Sequence, residues 1–487
     1  MTTSPQKLSV TEKVGYALGD LSANLVFQTL VTFIAFFYTD VYGISAGWAS
    51  FIIFWAGIIG GALFTPVMGM IADRTVTRWG KFRPWILWTA LPFGAIVMLT
   101  FATPHFSTSG KLIYAGITYL LLVMIYSANN LPYSALSGVL TGNMAERNSL
   151  SSYRFVAVMV AQFIIQVLAL PLVLILGDGD KAAGFEKTMT ILAIVGVVFL
   201  LITFLTTRER IIPKPEQKSS IREDLKDLFS NRPWVVMLTL TTLVFVTLAL
   251  KGGAYIYYFH QFLDESAVST FLNGIGFNGL MDSLNASLAS VGLAEFQWPE
   301  DAATSAFSLF NATSIICQII GIFFSKSLAD RYGKRNVFGS FLLLSTLFLL
   351  AYIFLAPNNI GLVFLLQIGH GLSYGVTIPI LWAMIADVAD YSEWKNNRRA
   401  TAIIFSAMIF GLKVGLSIGG ALVASLLSWY GYDAAAPVQT PETVSGIRMM
   451  ISVFASIPFL IGCGSLLYYK IDKAMETTIE RELAERR

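Results

Sequence analysis

Three polar residues stand four apart on the first apolar stretch of the chain: Asp20, Asn24 and Gln28. That spacing puts them on one face of a helix. Tyr126, Asn129, Asn130 and Tyr133 share a face of a fourth stretch, loosened by Pro132. Arg154, Gln162 and Gln166 follow on a fifth, at steps of eight and four. The second part of the chain adds Lys251, Tyr255 and Tyr258, then Asn311 and Gln318, then Gln367, His370 and Tyr374, and Lys413 in the middle of residues 409–416. Amides and phenols donate and accept hydrogen bonds, and aromatic faces stack on C–H faces. Together with isolated charges, the set suits a hydroxyl-rich solute such as a sugar. No nucleophile–base pair, metal-ligand spacing or phosphate loop occurs inside these stretches, so neither an enzyme nor a metal cofactor is expected.

The elements that carry these residues are apolar. Of 487 residues 55% are hydrophobic and 13% charged, against about 25% charged in soluble domains. The net charge of +3 is too small to imply nucleic acid. A spanning helix needs about 20 apolar residues. Spans are expected near 14–38, 47–72, 84–103, 111–141, 150–176 and 187–207, and again near 233–262, 304–327, 336–356, 360–390, 399–429 and 446–470. The expected organisation is an N-terminal six-helix bundle (1–207), a charged cytoplasmic linker (208–232), a C-terminal six-helix bundle (233–470) with an external loop (263–304), and a tail (471–487). That loop reads as a flap or a short interfacial helix. No removable signal peptide is expected at the N-terminus. Lys and Arg concentrate in alternate loops, which places both termini in the cytoplasm. Cys317 and Cys463 lie inside apolar blocks and read as small buried residues.

Ionisable groups at a helix centre cost about 2.5–3.5 kcal/mol on insertion scales. A single membrane amide reads as an interhelical hydrogen bond worth about 0.6 kcal/mol. Stripes on this many helices read instead as a shared aqueous cavity, lined by Asn24, Gln28, Tyr126, Asn130, Arg154 and Lys413. Lys413 is too deep to snorkel and must meet a carboxylate, a substrate or water. Asp20 lies nearer the cytoplasmic end, where solvation accounts for it equally well, and is the best carboxylate for coupling to an ion. His370 could titrate near neutral pH, though a lone membrane histidine is more often a helix contact.

A weak repeat links the halves. Asp73-Arg74 and Arg78-Trp79-Gly80-Lys81-Phe82-Arg83 follow the second span, and Asp330-Arg331-Tyr332-Gly333-Lys334-Arg335 follow the eighth. Asp73, Arg78, Lys81, Arg83, Asp330 and Arg331 read as a cytoplasmic charge clamp. Asp387, Asp390 and Glu393, at the cytoplasmic end of the tenth span, are expected to pair with Arg or Lys at neighbouring helix mouths.

With Tyr16 to Gly19, Tyr38-Thr39-Asp40, Arg78 to Trp85, Leu131-Pro132-Tyr133, Tyr153-Arg154-Phe155, Ala386 to Glu393 and Lys413, nearly the whole chain resembles the glycoside–pentoside–hexuronide cation symporters, the melibiose permease group of the major facilitator superfamily. The resemblance implies an all-α fold of twelve transmembrane helices in two bundles, with a central sugar site reached alternately from each side. It puts Asn24, Tyr126, Asn130 and Arg154 at that site and Lys413 near the cation and sugar. One departure matters. Where that group has an arginine and two cation-binding aspartates on the second helix, this chain has Gly57, Gly61 and Thr65; two further carboxylates of the group appear as Asn24 and Asn130. Sodium prefers oxygen ligands that include a carboxylate, so protons are the expected coupling ion. The chain therefore reads as a proton-coupled sugar or glycoside symporter in a bacterial inner membrane, in contact with lipid and monomeric. Sodium-coupled or uncoupled sugar transport, transport of lysolipid-like amphiphiles, and a sugar sensor are the alternatives.

Overall fold

A computed structural model describes residues 7–141, 144–210, 231–290, 301–396 and 401–486. Most of the linker expected at 208–232, the end of the 263–304 loop, and Arg398 and Arg399 lie outside the described residues. Among the described residues there are twelve helices long and apolar enough to cross a membrane. The first six are Val10–Val41, Ala46–Ala72, Arg83–Phe101, Thr108–Leu140, Ser149–Gly177 and Lys181–Thr206. The second six are Arg232–Phe262, Ala302–Tyr332, Lys334–Phe354, Ile360–Lys395, Ile404–Trp429 and Pro441–Tyr468. Extended structure among the described residues is one isolated bridge, Thr77 to Gly80.

Local chemistry sets many of the helix ends. Side-chain oxygens of Ser9, Ser107, Asp180, Asn231, Asp301 and Thr440 accept the first unpaired N–H groups of their helices. Pro233 and Pro441 stand in first turns, where a missing N–H costs nothing. The first and seventh spans both close with a π-helical turn, Phe37–Val41 and Tyr258–Phe262. Within the 263–304 segment the chain forms two helices, Glu265–Gly274 and Phe277–Ser290. Val268 and Leu272 of the former are buried, and Leu280 and Leu284 of the latter are exposed.

The chain divides into two compact units, residues 1–216 with 297–300, and residues 217–296 with 301–487. In the first unit, span one packs on spans five and six, span three on four and six, and span two on four. In the second, span seven packs on eleven and twelve, span nine on ten and twelve, and span eight on ten. The five pairings match position for position, so the repeat seen in the loops extends to the packing. Small residues allow the closest approaches. A Cβ at Gly375 of the tenth span would come within 2.3 Å of the Gln318 carbonyl oxygen, and one at Gly321 of the eighth within 2.4 Å of that of Leu372. The tail helix Lys473–Arg486 adds Ile479 and Leu483 to the core of the second unit.

Candidate functional site

In the first unit the polar residues of spans one, four and five gather on one side. Asp20 and Arg154 form an ion pair, Oδ2 to Nε 2.8 Å, with side chains 6% and 30% exposed. The bond uses one edge of the guanidinium, which has four further N–H groups to offer. Arg154 also lies over the rings of Tyr16 and Tyr133, 5.8 and 5.5 Å away. Those rings stack at 4.6 Å, and each hydroxyl donates to the other residue's carbonyl. Asn24, one turn on, donates to the Asp20 carbonyl and carboxylate at 2.9 and 3.3 Å. The Gln166 amide donates to Gln28, 3.2 Å, and Gln162 donates to Gln166, 3.3 Å. Tyr126 sits between Phe27 and Phe93. Asn24, Tyr126, Asn130, Arg154, Gln162 and Gln166 keep part of their surface exposed. Acceptors, donors and aromatic faces thus lie side by side, and the one ion pair among them is neutral.

The fourth-span stripe divides. Asn129 is 1% exposed and donates to Thr89 of the third span at 2.7 Å, and Tyr133 is buried against Tyr16. These are dry helix contacts, whereas Tyr126 and Asn130 remain half-exposed. On the second span, Gly57, Gly60 and Gly61 lie in a π-helical segment, and the Thr65 hydroxyl donates to the Gly61 carbonyl. Ser127 donates to the Gly60 carbonyl at 3.1 Å, tying spans two and four together.

The second unit distributes its polar groups differently. Asn311 and Gln318 bond within their own helix, to the Phe307 carbonyl and to Ser314. Gln367 is 1% exposed. Lys251 and His370 are in contact with each other inside the unit. Lys413 is half-buried, and its carbonyl accepts from Ser417. The polar residues that these contacts gather on one partly exposed face therefore belong to the first unit, and Lys413 of the second is exposed to a similar degree.

The repeated loops act as seals within each unit. The Glu209 carboxylate accepts the backbone N–H groups of Lys81, Phe82 and Arg83 at 2.8, 2.7 and 2.8 Å, at the positive end of the third span. Arg83 donates to the Phe204 carbonyl at the end of the sixth span, 2.6 Å. Gly80 turns the chain at φ 111°. Arg78 and Lys81 stack on Trp79 and Phe82, and Asp73 lies on the last turn of the second span. Beside this seal Arg210 grips Glu12 with both terminal nitrogens, 2.6 and 2.8 Å, and that bond raises the Arg210 pKa. In the second unit Gly333, at φ 85°, occupies the matching turn. Lys334 binds Asp387 at 2.7 Å and Glu476 of the tail at 2.5 Å. Lys473 donates to the Asp330 carbonyl at 2.7 Å and more weakly to that of Arg331. The side chains of Asp330 and Arg331 are exposed, and Asp390 sits one turn beyond Asp387. Sequence reasoning located the basic turns but missed Glu209 and Glu476. Both lie just past the last span of a unit, and that shared position was the available signal.

The sequence model described as MFS/sugar transport protein matches residues 15–290 and 300–473. The chain belongs to that family. It is a multi-pass membrane transporter rather than an enzyme, and its kinship with the glycoside–pentoside–hexuronide group is upheld by its relatives. One is the putative glycoside/cation symporter YagG of Escherichia coli K12, 34% identical over 484 residues, 99% of this chain and 96% of YagG. Another is the isoprimeverose transporter of Lactiplantibacillus pentosus, 30% identical over 467 residues, 95% of this chain and 89% of that protein. The fold is also that of a bacterial homologue of the human lysosomal transporter Spinster, solved inward-facing and unoccupied. The TM-score is 0.61 at 13% identity, covering 96% of this chain and all of that one.

Proposed function

We propose that this family member takes up a sugar or glycoside across a bacterial inner membrane by alternating access, in symport with protons, as a monomer with both termini in the cytoplasm. The observation that carries the proposal is the partly exposed polar face of the first unit. There Asp20, Asn24, Asn130, Arg154 and the glutamines offer donors and acceptors beside the ring of Tyr126. Such a face matches a ring of hydroxyls, and the neutral Asp20–Arg154 pair favours no charge on the sugar. The names of the two relatives, a glycoside/cation symporter and an isoprimeverose transporter, support a sugar as the solute. Protons rather than sodium follow from Gly61 and Thr65 standing where carboxylates would bind a cation. Asp20, the coupling carboxylate expected from the sequence, is held in an ion pair by Arg154. Uptake of labelled glycosides into membrane vesicles tests this. Accumulation that collapses with a protonophore and ignores sodium is expected; sodium-dependent, protonophore-insensitive uptake would refute proton coupling. Failure of any simple sugar or glycoside to compete would remove the sugar assignment.

A further inference from the structure

The second unit buries two ionisable residues in contact. Lys251 on the seventh span is 6% exposed and His370 on the tenth is fully buried. Lys251 Nζ lies 2.5 Å from His370 Nε2. His370 Nδ1 faces the ninth span, 3.2 Å from the Ser345 carbonyl oxygen and 2.8 Å from the Ser345 hydroxyl. With the lysine protonated, Nε2 must present a lone pair, and Nδ1 carries the hydrogen and donates it to the Ser345 carbonyl; with the lysine as the amine, Nδ1 can instead accept from the Ser345 hydroxyl.

Aromatic rings, and no carboxylate among the described residues in ion-pair contact, surround the pair. Nζ lies 5.9 Å from the ring of Tyr255 and 5.5 Å from that of Tyr374, the two titratable residues set against the pair. The eighth span brings Phe310 against Tyr255, and the twelfth brings Phe459 against Tyr374. The eleventh span meets the seventh through Gly411, Gly415 and Gly419, packed on Leu238, Thr242 and Val246. Its charged residue, Lys413, is two positions away from the nearest of these glycines. Among the described residues no carboxylate forms an ion pair with Lys251 or His370.

A second proton would put two cations in contact inside a low-dielectric bundle. The pair therefore has two working states, lysine ammonium on neutral imidazole, and amine on neutral imidazole. They differ by one proton in all. We infer that Lys251 and His370 together form the proton-carrying site of the transport cycle, loaded and unloaded once per sugar. This rests on the proton-symport proposal above. At Asp20, by contrast, an arriving proton must displace the guanidinium already bound there.

The test uses full-length protein in liposomes, with radiolabelled xylosides and glucosides, of which the one that wild type transports is carried forward. Wild type is measured first: transport that no pH gradient can drive uphill would overturn proton symport itself, and this site with it. A gradient of one pH unit supports accumulation up to about tenfold at one proton per sugar. Lys251→Met and His370→Gln are expected to lose that accumulation and the sugar-induced pH change. Equilibrium counterflow, which needs no net proton movement, should persist. Wild-type accumulation in either variant would overturn the inference while leaving symport intact. Should both variants fail to insert, Ser345→Ala keeps the carbonyl and loses only the hydroxyl. It is expected to move the pH of half-maximal accumulation, and an unmoved profile would overturn the inference.

Discussion

Gly80→Ala should destabilise the first unit through Glu209, and the size of the effect follows from geometry. A Cβ at Gly80 would lie 2.4 Å from the Glu209 carboxyl carbon and 2.6 Å from both its oxygens. At φ 111° the new side chain also strains the backbone, by about 1–3 kcal/mol. Displacing the carboxylate forfeits three charge-assisted bonds to backbone N–H groups. Bonds to charged groups contribute about 1.5–3 kcal/mol each, and the half-exposed position of Glu209 argues for about 2 kcal/mol in all. With Glu209→Ala already in place the clash is gone, so Gly80→Ala should then cost only the backbone strain. The cycle of two single variants and the double variant, measured by denaturant unfolding in mixed micelles, should show a coupling of about 2 kcal/mol. Costs that add to within about 0.5 kcal/mol would refute the seal.

Three further outcomes follow. Asp20→Asn or Arg154→Gln alone should cost about 2 kcal/mol, below the figure for a fully buried pair because Arg154 is partly exposed, and the double variant should recover much of that stability while its glycoside affinity stays low. Asn129→Ala should cost only about 0.5–1.5 kcal/mol in unfolding, the bond it donates to Thr89, because the Thr89 hydroxyl still donates to the Trp85 carbonyl, and it should keep the wild-type KM for uptake. Glu476→Gln should cost under about 1 kcal/mol because Asp387 still holds Lys334, whereas Lys334→Met should cost more by leaving two carboxylates facing each other; equal losses in thermal unfolding would contradict the shared lysine.

The spans and their number were legible because apolar runs of spanning length admit few other folds. The polar face of spans one and five was legible from spacing alone. Asp20, Asn24 and Gln28 share a helix face, and their partners Arg154 and Gln166 follow the same rule on the fifth span. Asn129 and Asn130 show the limit. Adjacent residues point about 100° apart on a helix, and which of them meets water depends on where the third span lies. The roles of Glu209 and Glu476 were hidden for a similar reason. Each is one acid in a charged stretch, and it matters only because a positive-φ glycine turn or a helix start from elsewhere in the chain reaches it. Lys251 and His370 are 119 residues apart and lie on different helices, so no local pattern could join them.

Cysteine accessibility tests most directly the claim that the polar face of the first unit meets water and sugar. In a Cys317→Ser, Cys463→Ser background, Asn24→Cys and Asn130→Cys should react with a charged, membrane-impermeant thiol reagent in purified protein, and saturating transported glycoside should protect both, while Asn129→Cys stays unlabelled. Cysteines at positions 24 and 130 that are inert, or that label at the same rate with and without the sugar, would contradict it.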